Sequence, residues 1–152
     1  MALELKYTIM CDDVRQENTG KLILIGMYMG NITVTQLPFL LPTLAFFQQF
    51  EVDRLGSYTL RVQMQDLEQG RTLTQGVIMM DVQQAPVLPG PAINIVKFGG
   101  VQFERAGSYV LSTVIDGQNE VLTFPFNVVL NVARPSQPQH GQFGPMGSMG
   151  PR

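Results

Sequence analysis

An eight-residue phrase occurs twice in this chain, as Asp53-Arg54-Leu55-Gly56-Ser57-Tyr58-Thr59-Leu60 and as Glu104-Arg105-Ala106-Gly107-Ser108-Tyr109-Val110-Leu111. Five positions are identical, the first keeps its acid, and Gly56 and Gly107 lie 51 residues apart. Each copy reads as a charged turn, then a glycine able to take positive φ, then a strand with Tyr and Leu on one face. Two equivalent strand starts inside one short chain are the pattern of an antiparallel β-sandwich, and both tyrosines are expected to be mostly buried.

The rest of the chain agrees with that frame. Leu3, Leu5, Tyr7, Ile9 and Cys11 alternate with polar neighbours, which predicts a first strand. Asp12 to Gly20 reads as a polar loop, and Lys21 to Met29 as a second strand apolar on both sides. Such a strand is either central and covered twice or part of an interface. Gln36 to Pro42 and Ala85 to Pro91 read as stiff, proline-fixed crossovers. Further strands are expected from Leu44 to Val52, Tyr58 to Met64, Thr72 to Asp81, Ile93 to Phe103 and Tyr109 to Ile115. The Ile93 strand carries a bulge or bend at Gly99-Gly100. Asp116-Gly117 signals a hairpin into a last strand carrying Leu122, Phe124, Phe126, Val128, Leu130 and Val132 on one face. No segment shows helical periodicity. The fold expected is all-β, an antiparallel β-sandwich of about eight strands (immunoglobulin/fibronectin-like or jelly-roll-like), with a flexible C-terminal tail.

That sandwich domain is placed at residues 1–133. From Arg134 to Arg152 the chain is Gly/Pro-rich, with Gly141, Gly144, Gly147 and Gly150 on a three-residue period. Four triplets are too few to hold a collagen-like helix, so 134–152 reads as a low-complexity tail dispensable for folding.

Composition narrows the chemistry. Charged residues are 14% of the chain, the net charge is -2, and the ten Lys and Arg residues form no run. A nucleic-acid partner is therefore not expected, and neither is a membrane, because no apolar run approaches spanning length. With one cysteine and no signal-like start, the sequence fits a cytoplasmic protein. The sole histidine, His140, lies in the tail, so the body has no His base for a Ser or Cys nucleophile. Cys11 reads as a small hydrophobe. Asp12, Asp13 and Glu17 are the weak candidates for a cation such as calcium. No opposed acid pair, phosphate loop or cofactor motif is present. An enzyme is not expected, and no cofactor is.

The remaining signal is apolar surplus. A sandwich hides one face of each sheet, yet Leu22–Met29 and Val77–Met80 are apolar at successive positions, and Phe39-Leu40-Leu41 sits between prolines. Leu24, Met27, Met29, Phe39, Leu40, Ile78, Met79 and Met80 are the interface candidates, for a protein partner or a second copy. A cation- or glycan-binding module is the alternative function.

The pattern Cys11-Asp12-Asp13-Val14-Arg15-Gln16-Glu17, Gly20-Lys21, Leu24-Ile25-Gly26-Met27-Tyr28, Leu37-Pro38 and Leu41-Pro42 resembles an uncharacterised family of small all-β proteins of bacteria and their phages. The resemblance covers about residues 3 to 132 and is strongest up to residue 52. It implies a compact β domain and a bacterial or phage origin, and it brings no activity and no catalytic residue.

Overall fold

The computed structural model describes residues 3–132. The tail over 134–152, with His140 and its glycine period, lies outside the described residues. Nine strands are present among those described: β1 (Leu3–Gln16), β2 (Leu22–Met27), β3 (Asn31–Val34), β4 (Phe39–Val52), β5 (Gly56–Asp66), β6 (Thr72–Val82), β7 (Gly90–Phe103), β8 (Gly107–Ile115) and β9 (Val121–Leu130). One sheet has the order β2-β1-β4-β7 and the other β3-β9-β8-β5-β6. Strands β1-β4-β7 facing β9-β8-β5-β6 reproduce the immunoglobulin/fibronectin arrangement, and this decides between the two sandwich types expected from sequence. Strands β2 and β3 are added to it, β2 beside β1 and β3 parallel to β9.

Alternation builds the core. Leu44, Phe46 and Phe50 of β4, Val96, Phe98, Val101 and Phe103 of β7, and Tyr109, Leu111 and Phe126 of the second sheet are all buried. Phe103, Tyr109 and Phe126 meet at ring separations of 5.1 to 6.4 Å. A polar bridge crosses this interior: Asn94 donates to Gln48 at 2.9 Å, and Gln48 donates to Thr113 in the opposite sheet at 3.0 Å.

The repeated phrase makes the same contacts twice. Gly56 and Gly107 have φ of 151° and 146°. The Tyr58 hydroxyl donates to the carbonyl of Arg54, and the Tyr109 hydroxyl to that of Arg105, four residues back in each case. Ser57 donates to Asp81 at 3.0 Å, and Ser108 to Asn127 at 3.1 Å, each across to the next strand. Strands β5 and β8 are antiparallel neighbours, and Val62 pairs with Thr113, its own equivalent 51 residues on. A local twofold axis therefore passes between those two residues and relates hairpin β5–β6 to hairpin β8–β9. Tyr109 is buried, as expected; Tyr58 is half-buried.

Several boundaries differ from the sequence reading. The expected loop from Asp12 is strand as far as Gln16, because β2 supplies it with a partner. Strand β4 starts at Phe39, inside the expected crossover. Pro42 is tolerated there because the ladder to β1 ends at Ala45, so no donor is needed on that side. Strand β7 likewise starts at Gly90, within the second expected crossover. Gly99-Gly100 is not a register shift: β4 and β7 keep one register on both sides of it. It is a bend instead, with Gly100 at φ 66° opposite Pro42 and the buried positions passing from Phe98 to Val101.

Candidate interaction surface

Strand β1 does not end where its sheet does. After Cys11 it leaves β4 and, among the described residues, pairs with β2 alone. The turn is shaped by Gly26, at φ 65°, whose missing side chain leaves room for the Asp12 carboxylate. That carboxylate accepts a hydrogen bond from the Tyr28 hydroxyl, and burial first, then Asp12, pushes the Tyr28 phenol up. The hairpin β1–β2 then lies over the outer face of the first sheet. Val14, Leu22 and Leu24 pack on Cys11, Ala45, Phe47 and Ile95, which alternation points away from the main core. Lys97 of β7 fastens the hairpin. Its ammonium donates to the Val14 carbonyl and pairs with Asp13 at 3.0 Å. Asp13 also accepts from Arg15 at 3.2 Å, and both cations hold its carboxyl below the usual range. Burial pushes the Cys11 thiol up, which suits a packed hydrophobe rather than a nucleophile.

This third layer leaves two surfaces. The hairpin's outward side carries Ile23, Ile25 and Met27, with Met27 56% exposed, followed by Met29 at 86%. The second surface is a cleft of about 890 Å³ beyond the hairpin tip, between Ile95–Phe98 of β7 and Gln75–Ile78 of β6. Both strands there are sheet edges.

The expected interface residues divide between surface and core. Met27, Met29, Leu40 and Met79 are exposed. Leu24 is half-buried in the cluster beneath the hairpin, and Phe39 and Ile78 pack against the main core. Met80, expected at the interface, is instead a core residue at 8% exposure. The reason is period two: Ile78 and Met80 face inward, and Val77 and Met79 face outward from an edge strand. Strands β2 and β6 belong to different sheets but approach each other at the hairpin tip, where Leu22 lines one cleft with Val77 and Ile78. The three acids are not gathered into a cation site. Asp12 holds Tyr28, Asp13 holds Lys97 and Arg15, and Glu17 accepts from Thr19 at 3.2 Å.

Ile23, Ile25 and Lys97 carry the surface and were not singled out in sequence. A lysine inside the otherwise apolar stretch Ile95–Phe98 was the available signal. Also missed was the clamp at the second phrase. Arg105 donates to both carboxylate oxygens of Asp66 at 2.6 Å, and Asp66 accepts the backbone N–H groups of Glu68 and Gln69. The Arg105 guanidinium holds the Asp66 carboxyl down at about 2.

A model of a family of unknown function, DUF6941, matches residues 6–129. The chain belongs to the DUF6941 family. No curated protein matches it in sequence. Among solved structures it is similar to the Pseudomonas fluorescens alkylpurine DNA glycosylase AlkC, at 7% identity and TM-score 0.47 over 84% of this chain and 30% of that one. It is also similar to the CARDB domain of the Pyrococcus furiosus PF1109 protein, at 14% identity and TM-score 0.39 over 67% and 86%. A Listeria innocua β-glucosidase is similar at 11% identity and TM-score 0.43 over 86% and 16%. The chain thus spans under a third of the glycosylase. No helix among the described residues is long and apolar enough to cross a membrane.

Proposed function

We propose that this DUF6941 chain, of bacterial or phage origin, is a non-catalytic protein-interaction or assembly module of the cytoplasm. The observation that supports it is the outward side of the β1–β2 hairpin. Ile23, Ile25 and Met27 stand exposed on a strand whose other side is already spent covering Phe47 and Cys11. An apolar row on an edge strand invites a partner, and Met adapts to varied surfaces. The charged groups are engaged in architecture, with Asp13 and Lys97 tying down the hairpin and Asp66 and Arg105 tying a corner. A second copy is the simplest partner, because a patch that meets itself closes on a twofold axis.

Site-specific photocrosslinking tests this reading. A photoreactive residue placed at Ile25 should give protein adducts in the host cell. The same residue placed at Thr59, on the outer face of the second sheet, should give few. Equal yields at both positions would remove the hairpin from the account.

A further inference from the structure

We propose that the cleft between β6 and β7 receives one extended peptide segment of a partner protein, added as a strand to the open edge of β7 at Ile95–Phe98 and carrying an acidic side chain toward Lys97 and Arg15. This deepens the interaction reading and rests on it. Among the described residues strand β7 pairs with β4 alone and β6 with β5 alone, so each presents its far-side backbone groups unpaired within that set. The strands leave the crossover 83–89 side by side, and the cleft opens further along them, at the level of Gly76. A Cβ at Gly76 would meet nothing nearer than Val62 Cγ2 at 3.8 Å, so another backbone can approach there. Val62, Ile78, Val96 and Phe98 line the inward side of the cleft for the alternate apolar side chains of an added strand, while Ile95 and Lys97 share the outward side where its acid would lie.

Charge selects the occupant. Among the described residues Arg15 and Lys97 are the charged ones lining the cleft, and no acid lines it. Asp13 bridges the two cations and offsets one of them. One positive charge is left over, at the mouth of an apolar cleft, in a chain whose net charge is -2. An extended apolar segment with one carboxylate supplies both complements.

The probe is the blocked peptide acetyl-Ser-Val-Glu-Val-Thr-Ile-Ser-amide, titrated into the full ¹⁵N-labelled chain. The expected result is saturable shifts at Gly76 and Lys97, with slowed amide exchange within Ile95–Phe98. Replacing the peptide's Glu by Lys should weaken binding at least tenfold. N-methylating its alternate amides should abolish binding, since strand pairing needs those donors. Gly76→Leu should block the cleft while far-UV dichroism stays β-like; if that variant does not fold, the N-methylated peptide on wild type decides the matter alone. Equal binding by the Lys or N-methylated peptide, shifts confined to the hairpin's outer side, or no binding at millimolar peptide would overturn strand addition. In that last case crosslinking at Ile25 still tests the interaction reading separately.

Discussion

At the scale of single residues, polar groups in this protein mostly fix geometry. The two phrase tyrosines each tie a strand start to the preceding turn, in the manner of the tyrosine corner of immunoglobulin-like sandwiches. The tyrosines were legible in sequence because the phrase is local and repeated. The Asp66–Arg105 clamp was not, because its partners are 39 residues apart. Its pH dependence follows from the sign of the shift. The folded-state carboxyl sits near 2, against an ordinary 3.8, so its stabilisation is complete above the ordinary value and is lost as pH falls toward 2. Asp66→Asn removes a charged, buried acceptor and should cost about 1–3 kcal/mol at pH 7. Urea melts at pH 7, 4 and 2.5 should show the gap to wild type closing at the acid end. A gap that stays constant would mean that the charge on Asp66 contributes nothing.

At the scale of elements, the hairpin β1–β2 was the feature hardest to read. Its apolar positions are plain in sequence, but alternation alone does not say which side meets the sheet. Leu22 and Leu24 pack down while Ile23 and Ile25 face out, and that choice depends on the bend at Asp12 and Gly26 and on Lys97, 83 residues from Val14. The same limit explains Met80: Val77–Met80 is apolar at successive positions, so the local pattern does not say which side of β6 faces the core. The hairpin gives Phe47 a second core on what would otherwise be an exposed sheet face. Phe47→Ala should therefore cost about 3–5 kcal/mol, as for a buried aromatic, whereas Met79→Ala should stay within about 0.5 kcal/mol of wild type. Thermal or urea melts of the two variants check the contrast. A small loss at Phe47 would mean that the hairpin does not stay closed on the sheet.

At the scale of the whole molecule, the sandwich is built around a twofold relation between hairpins β5–β6 and β8–β9, faced by β4 and β7, to which β1, β2 and β3 are added. The phrase announced the relation, and the pairing of Val62 with Thr113 makes it a property of the sheet. The class of fold was legible because turn chemistry and alternation are local. Sheet order, the parallel β3–β9 pair and the cleft were not, since they depend on contacts between distant segments. What the added strands contribute is an outer layer with one apolar side still uncovered. Burial of apolar surface yields about 25 cal/mol per Å² before ordering costs are met, so a modest patch is enough to drive association. Sedimentation velocity of the full chain, from micromolar to millimolar concentration, tests this most directly. Wild type should grow heavier with concentration, while the double variant Ile25→Lys, Met27→Lys stays monomeric with unchanged far-UV dichroism. A wild type that remains monomeric across the whole range, sedimenting like the double variant, would contradict assembly through the hairpin.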